Sequence, residues 1–169
     1  MLGKHALVVH DFEQPVNVVG DNKAQGTLAV NMKMVTSALA YDDPSTGEVT
    51  IIVVHQAVWI PHLEVNLVCP MQAQVNDVKL DEIPRFLTEA PTSHSHAIYF
   101  PEEEITVPLL LHGVTSYFPT RKPTLQEYYD STTQHGIQCV LTYESPVWNP
   151  TDEALTKQEC NMMDAQGNV

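Results

Sequence analysis

Two histidines, His94 and His96, have the spacing most suggestive of metal binding in this sequence. Side chains at positions i and i+2 of a strand share a face, and therefore both imidazoles could bind one ion. The pattern offers no third or fourth ligand, although zinc sites normally have three or four. A solvated Ser/His turn is therefore the favoured interpretation, and the sequence predicts neither a bound metal nor a cofactor.

An acidic run and one cysteine could also carry chemistry. Glu102–Glu104 could supply oxygen ligands to a divalent cation, but adjacent like charges usually stay hydrated, and therefore we expect a solvated loop. Cys69 follows His62 closely enough to suggest a thiol nucleophile, which would also need an orienting third group. The apolar neighbours Leu67 and Val68 instead predict that the thiol is buried and inert.

The common catalytic motifs that can be checked are absent from the sequence. It has no Gly-x-Ser-x-Gly nucleophile elbow, no P-loop, no Gly-x-Gly-x-x-Gly and no His-Glu-x-x-His. None of its nine aspartates is followed by Ser or Thr and then Gly. No catalytic residue is therefore assigned from the residues alone.

The chain is strongly acidic, with a formal net charge of -13 and only 8 lysines and arginines among 169 residues. Phosphate contacts need clustered cations, and therefore we expect binding to neither nucleic acid nor an anionic membrane surface. For the same reason the larger aromatic side chains are interpreted as core or interface residues rather than as a platform for stacking bases. They are Trp59, Tyr99, Tyr117 and Phe118.

Cysteine usage and hydropathy bear on location. The three cysteines are widely spaced and odd in number, which indicates neither a disulfide framework nor a zinc knuckle. Residues 1–10 lack the long apolar segment of a signal peptide, and the longest apolar runs are too short to span a bilayer. We therefore expect a cytoplasmic protein in a reducing compartment, with no membrane partner.

Alternating apolar residues predict that the first half of the chain is built of strands. Two short strands are expected over 4–12 and 15–20, followed by a long strand over 26–41. The sequence YDDPSTGEV at 41–49 is a turn signal because it combines aspartates, a proline and a glycine. The β-branched run at 48–60 then returns as the second arm of a hairpin.

The pattern after Pro61 is weaker. Leu63, Leu67 and Met71 recur at helical spacing and predict a short helix or coil whose leucines close the core beneath the sheet. Further short strands are expected at 75–80, at 97–100 and as a pair within 104–124. Thr124 is a candidate N-cap for a helix that begins with LQEYYDS.

Residues 53–72 carry a resemblance to a known family. They read V-V-H-Q-A-V-W-I-P-H-L-E-V-N-L-V-C-P-M-Q, in which Pro61, Leu63, Asn66 and Leu67 form the pattern P-x-L-x-x-N-L. This run resembles a segment near the end of the aspartic-protease region in copia-type retrotransposon polyproteins. Three further segments have counterparts in diatom and other protist elements, in the same order: HALVVHDFEQPVNVVG, ALAYDDPSTGEV and GVTSYFPTRKPT.

The resemblance implies a partial retropepsin-like β-barrel and, for the family, an aspartic endopeptidase that works as a symmetric homodimer. Each chain of such a dimer supplies one aspartate, in an Asp-Ser/Thr-Gly-like motif just ahead of the first strand. The variant in related elements ends in residues similar to Leu2-Gly3-Lys4, and therefore the sequence is expected to start directly after the catalytic segment. Asp11 lies on the wrong side of the first strand and is not given this role.

The resulting expectation is a mainly β fragment of a retrotransposon polyprotein without peptidase activity, for which peptides are substrates only if the catalytic segment is restored. We expect a truncated retropepsin-like domain at 1–82, an extension with short strands at 83–124 and a partly ordered tail at 125–169. An extended piece is expected over 141–155, and the tail is expected to be loose from about 149. The alternative is a β-rich binding or scaffold module that uses 97–124 as its interaction surface.

Overall fold

Strands make up most of the regular structure. The structure is a computed structural model that describes residues 1–19, 28–133, 136–144 and 153–162. Its mainly β character confirms the coarse expectation from the sequence. The elements are β1 (Leu7–Val19), β2 (Leu28–Asp42), β3 (Val49–Trp59), α1 (Pro70–Val75), β4 (Lys79–Asp81), a 3-10 turn (Arg85–Leu87), β5 (Ala97–Phe100), β6 (Ile105–Pro108), β7 (Leu110–His112), β8 (Thr115–Tyr117), α2 (Leu125–Ser131), β9 (Ile137–Val140) and α3 (Glu153–Asn161).

The main sheet has the strand order β1-β2-β3-β9. The β2–β3 hairpin is confirmed, with Asp42 paired to Val49. Its turn is closed by the Asp43 carboxylate, which accepts the backbone N–H of Ser45 at 2.7 Å and the Ser45 hydroxyl at 2.6 Å. These hydrogen bonds lower the pKa of Asp43. Gly47 supplies the positive φ of +75° that the turn requires.

The main sheet is curled because β2 is flanked by bulges on both sides at the same point. On β1, Val8 pairs with Ser37 and His10 pairs with Thr36, which leaves Val9 as an extra residue. On β3, two residues, His55 and Gln56, lie opposite the single residue Thr36, and Gln56 has a φ of +53°. Bulges increase the local twist, and two of them around one residue of β2 bend the sheet at that residue.

The first strand is longer than expected. The sequence predicts two strands at 4–12 and 15–20, whereas β1 is continuous over Leu7–Val19. The pairing with β2 becomes irregular between Phe12 and Val16, where Pro15 cannot donate a ladder hydrogen bond. The interruption in the pattern therefore marks an irregular stretch rather than a turn.

Both faces of the main sheet bury apolar side chains. The inner face contributes Leu39 and Ile52, which pack in one cluster with Ile98, Phe100 and Val107 of the second sheet. The outer face contributes small and branched residues, and α2 covers part of it through Tyr128. The buried residues of the outer face are Ala38, Ala40, Ile51 and Val53. Burial on two faces explains why the β3 sequence is a continuous apolar run rather than an alternating one.

A second sheet and a separate hairpin follow α1. The second sheet has the order β4-β5-β6, and the strands β7 and β8 form a two-stranded hairpin beyond it. Gly113, with a φ of +61°, stands in the two-residue turn between His112 and Thr115. The expected strand at 97–100 is therefore confirmed, and the pair expected within 104–124 is a set of three strands, β6 to β8. Of the strand expected at 75–80, only residues 79 and 80 belong to a strand, β4.

The helix α2 begins where the sequence predicts. Thr124 is its N-cap, and Thr124 and Glu127 form a reciprocal capping box. The Glu127 carboxylate also accepts two hydrogen bonds from the Arg121 guanidinium, which in addition binds Asp42 at the end of β2. The backbone of Arg121 pairs with Ala40, and this position therefore ties α2 to the main sheet.

Two expectations about packing are wrong. Residues 61–69 themselves form the coil that the sequence analysis allows as the alternative to a short helix, and the helix α1 begins at Pro70, whose missing N–H is tolerated in a first turn. Leu67 is 46 % exposed and does not close the core. Its neighbour Val68 is the residue that packs against the core cluster. Cys69 is exposed rather than buried, because it is the N-cap position of α1 at the surface.

The C-terminal expectation is also partly wrong. Residues 137–140 form β9, which pairs in parallel with β3, and Cys139 and Leu141 are fully buried. The helix α3 spans Glu153–Asn161, where a loose tail is expected from about 149. Its described residues bury none of their side chains, which explains why apolar periodicity did not reveal it. Of the extended piece expected over 141–155, residues 145–152 lie outside the described residues.

One buried cluster contains residues from all three expected regions, such as Leu39, Phe100 and Cys139. The core therefore crosses both expected boundaries, at 82 and at 124. Within the described residues, no helix has the length and apolar character needed to cross a membrane.

We predict that replacing Arg121 weakens the protein in a pH-dependent way. Contacts from Arg121 and Thr124 lower the pKa of Glu127 to about 2 from its ordinary 4.5. The carboxylate therefore stabilises the fold above about pH 4.5, and this stabilisation is lost as the pH falls towards 2. Since these side chains are partly exposed, Arg121→Gln should lower the Tm by about 2–4 °C at pH 7.

The matched control is Arg85→Gln, because the Arg85 side chain donates one hydrogen bond to the Ser95 carbonyl oxygen instead of to a carboxylate. The Tm difference between wild type and Arg121→Gln should shrink between pH 4.5 and 2, and that of Arg85→Gln should not. Thermal melts followed by circular dichroism test this, and a pH-independent difference for Arg121→Gln would contradict it.

Candidate functional site

The N-terminal residues are held between two segments that are distant in sequence. Leu2 is fully buried and adds a short parallel bridge to the end of β3, where its N–H donates to the Val58 carbonyl at 2.9 Å. The Ile60 N–H donates back to the Leu2 carbonyl at 2.9 Å. The edge of β3 that faces away from β2 is thus covered at its C-terminal end by residues 1–3.

The other side of this segment is bound by the loop after β3. The Leu67 N–H donates to the Met1 carbonyl at 2.8 Å, and the Met1 ammonium donates to the Leu67 carbonyl at 2.7 Å. The Gly3 N–H donates to the Asn66 side-chain oxygen at 2.9 Å. We call the set of contacts that Met1–Gly3 make with β3 and with residues 63–67 the N-terminal clamp. Burial in the clamp lowers the pKa of the Met1 amine.

The clamp gives each residue of the P-x-L-x-x-N-L pattern a structural task. Pro61 follows the end of the strand. The Leu63 carbonyl oxygen occupies the space of a side chain on residue 3, because a Cβ at Gly3 would be 2.0 Å from it. Asn66 and Leu67 supply the hydrogen bonds to residues 1–3. The pattern therefore forms a binding surface for the backbone of residues 1–3. Residue 3 lies so close to Leu63 that only glycine fits there.

The clamp supplies no catalytic pair of its own. Its carboxylate, Glu64, is bound to Lys4 at 2.7 Å, and this contact lowers the pKa of Glu64. Asp11 is likewise engaged at the surface, in an ion pair with Lys33. The clamp can therefore position a neighbouring backbone segment, but its one carboxylate, Glu64, is engaged in an ion pair with Lys4.

The two spaced histidines point to different partners. The His94 ring lies 4.2 Å from the Tyr99 ring and its Nδ1 is 3.1 Å from the Thr106 hydroxyl. His96 is buried, and its Nε2 lies 2.9 Å from the Ser116 hydroxyl. Across the described ranges no group of three or more His, Cys, Asp or Glu side chains is arranged to hold a metal ion.

The remaining candidates stay apart. The side chains of Glu102–Glu104 are exposed in the turn between β5 and β6, as expected for a solvated loop. No hydrogen bond joins Cys69 to His62 in the part of the chain that the structure describes. Cys139 is the buried thiol, and burial raises its pKa to about 12, which makes it an inert core residue.

The aromatic candidates have mixed environments. Trp59 and Phe118 are half-buried and pack against the core cluster, as expected. Tyr99 is half-buried in β5, beside His94 and with the Lys79 ammonium 5.8 Å from its ring centre. Tyr117 is 43 % exposed on the β7–β8 hairpin.

A second site was not foreseen from the sequence. A depression of about 870 Å³ opens on the outer face of the main sheet, at the double bulge around Thr36. We call it the His55 dish, and its lining includes His10, Thr36, His55, Tyr128, Tyr143 and Glu144. Sequence reasoning missed it because the four strands, the helix α2 and the loop after β9 that contribute to it are scattered along the chain. A bulge also leaves no clear pattern in the sequence.

Hydrogen bonds hold His55 in place on the floor of the dish. Its Nδ1 is 3.0 Å from the Thr36 hydroxyl. The Thr142 hydroxyl accepts from the His55 N–H and donates to the His55 carbonyl, each at 2.8 Å, and so continues the ladder where β9 has ended. Burial lowers the pKa of His55, which Glu144 opposes, and the imidazole is therefore favoured in its neutral form at pH 7.

Comparisons with models of known protein families, with curated proteins and with solved structures find no match to this chain.

We predict that Gly3→Ala is strongly destabilising. The added methyl group would meet the Leu63 backbone, which cannot move without breaking the clamp, and overpacking of this kind costs about 2–3 kcal/mol. Gly47→Ala is the control, because open space surrounds Gly47 and only its positive φ opposes the change, at about 1 kcal/mol. Urea unfolding should show the larger loss for Gly3→Ala, and an equal or smaller loss would contradict the clamp.

Proposed function

We propose that this chain is the scaffold of a retropepsin-like domain from a copia-type retrotransposon polyprotein, without peptidase activity of its own. The observation that carries the proposal is the N-terminal clamp. The resemblance puts the family's catalytic motif directly ahead of residues similar to Leu2-Gly3-Lys4. Leu2 is bound to β3 by backbone hydrogen bonds and the Gly3 N–H to the Asn66 side chain, as a segment must be held if it is to position a catalytic loop.

The residues that carry the resemblance form part of the clamp, and this supports the proposal. Asn66 and Leu67, which carry the resemblance, contact Met1 and Gly3 across more than 60 residues of sequence. Catalytic groups must be held within about 0.5 Å of their productive geometry, and elements of a sheet do this better than free loops. A curled, mainly β sheet with a buried strand bridge at Leu2 meets that requirement.

The proposed lack of activity follows from the chemistry of the family. In a retropepsin-like dimer, one aspartate of each chain contributes to a pair of close carboxylates that share a proton. One carboxylate then activates water while the other acts as the acid. The sequence contains no Asp-Ser/Thr-Gly triplet, and Glu64 in the clamp is paired with Lys4. These 169 residues would therefore cleave peptides only if the motif were supplied from outside them.

We predict that the chain shows no acid peptidase activity. Purified protein should give no pepstatin-sensitive cleavage of a peptide library between pH 3.5 and 6, since it cannot form the aspartate pair. A version extended by the in-frame codons that precede Met1 should carry an Asp-Ser/Thr-Gly-like triplet and should cleave. The matched control is the extended chain with that aspartate replaced by asparagine.

Two outcomes would contradict the proposal. Pepstatin-sensitive turnover by the 169-residue chain would contradict the lack of activity. An upstream reading frame without the triplet, or an extended chain with the triplet that stays inactive although it dimerises, would contradict the retropepsin-like assignment.

A second candidate function, a non-enzymatic binding module, is favoured by the surface around β7 and β8. The hairpin exposes Leu110, Leu111, Val114 and Tyr117, and Val114 at its turn is fully exposed. An apolar cavity of about 530 Å³ lies beside it, between residues 64–70 and 115–120. Exposed apolar patches next to a cavity are typical of interaction surfaces.

We predict that this surface, rather than other exposed apolar residues, dominates the binding of a hydrophobic dye. The double variant Leu111→Ser and Val114→Ser should lower the fluorescence of bound 1-anilinonaphthalene-8-sulfonate by about half, because it removes two of the exposed apolar side chains of the β7–β8 hairpin. The control is Phe86→Ser with Leu87→Ser, which removes two exposed apolar side chains elsewhere. A larger decrease in the control would contradict the prediction.

A further inference from the structure

The His55 dish combines aromatic rings with a carboxylate. Phe12, Tyr128, Tyr143 and Glu144 all belong to its lining. The face of an aromatic ring carries negative electrostatic potential and attracts cations, most strongly where the cation is also partly desolvated. A site with three rings and one carboxylate therefore has the chemical character of a receptor for an organic cation.

The charges around the dish favour the same ligand. No lysine or arginine of the described residues lines it, and Glu144 forms no salt bridge within the described residues. Most described cations of the chain are already bound to carboxylates elsewhere, such as Lys4, Lys33 and Arg121. With a net charge of -13, the protein repels an anionic ligand and attracts a cationic one.

The floor of the dish is polar and fixed in position. The Thr36 hydroxyl holds the His55 ring, and the Thr142 hydroxyl holds the His55 backbone, so that little order has to be gained when a ligand binds. Gln56, next to His55, has a φ of +53° that a non-glycine residue rarely adopts. Strained residues of this kind are concentrated at functional sites.

We propose that the His55 dish binds the guanidinium group of an arginine in a basic peptide segment. Glu144 would receive its N–H donors, and the rings of Tyr128 and Tyr143 would cover its planar faces, as guanidinium groups stack on aromatic rings. The cavity of about 870 Å³ is larger than one side chain, and therefore the flanking backbone of the peptide can enter it as well. This inference is independent of the proposed retropepsin-like origin.

The experiment compares two peptides that differ only in charge. Acetyl-Gly-Ser-Arg-Ser-Gly-amide and its twin with neutral citrulline are titrated into the full chain at 150 mM salt, which screens long-range attraction. Binding is followed by the NMR signals of the His10 and His55 rings and of Tyr143. The arginine peptide should shift these signals in a saturable way, and the citrulline peptide should not.

Matched variants locate the contact. Glu144→Gln and Tyr143→Leu should each raise the Kd of the arginine peptide by about threefold or more. Glu89→Gln and Tyr117→Leu remove the same charge and the same kind of ring at exposed positions outside the dish, and they should leave the Kd unchanged. Tyr143 is 56 % exposed, and unchanged circular dichroism spectra verify that its variant folds.

Several results would overturn the proposal. Equal binding of the citrulline peptide would show that the guanidinium charge is not recognised. Equal weakening by Glu144→Gln and Glu89→Gln would show only a long-range effect of net charge. Binding of free arginine amide as tightly as the peptide, or shifts confined to residues outside the dish, would likewise exclude a peptide site there.

Discussion

The double bulge around Thr36 is the constraint on which much of the structure depends. β2 lies between β1 and β3, and each of these two neighbours carries an extra residue opposite Thr36. The two bulges bend the sheet at that position. The inner face then closes on the second sheet around Leu39 and Ile52. The outer face is left with a depression at the bend, in which the Thr36 hydroxyl binds His55. Core and dish are therefore two sides of the same distortion.

The second constraint is the edge of β3 opposite β2, whose backbone groups need hydrogen-bond partners. β9 covers it at residues 50–53, the Thr142 side chain covers it at His55, and Leu2 covers it at Trp59. The first two belong to one C-terminal stretch and the third to the N-terminus, and each supplies hydrogen bonds that the edge would otherwise lack. The N-terminal clamp is thus part of the sheet as well as the place where the P-x-L-x-x-N-L pattern contacts Met1 and Gly3. The close approach of the Leu63 backbone leaves no room for a Cβ at residue 3, which explains the glycine there.

Local signals predicted local structure well. The β2–β3 hairpin follows from a turn sequence between two apolar runs, and α2 follows from Thr124 and Glu127 at capping-box spacing. Predictions that depended on packing failed more often. Leu67 and Cys69 are apolar-flanked but exposed, since residues 61–69 are used for backbone contacts with Met1–Gly3 rather than for filling the core. The unburied helix α3 gave no apolar pattern to find.

The sequence by itself determined the mainly β class, the hairpin, the capped helix and the acidic surface, because each of these depends on residues close together in the chain or on composition. It also contained the P-x-L-x-x-N-L pattern, without revealing what the pattern binds. Only the tertiary structure decided that Asn66 reaches Gly3, and that Thr36, His55 and Thr142 share one site. The reason is physical: strand pairing, bulges and edge coverage join residues that are 19 to 87 positions apart, and no local preference encodes such a distance.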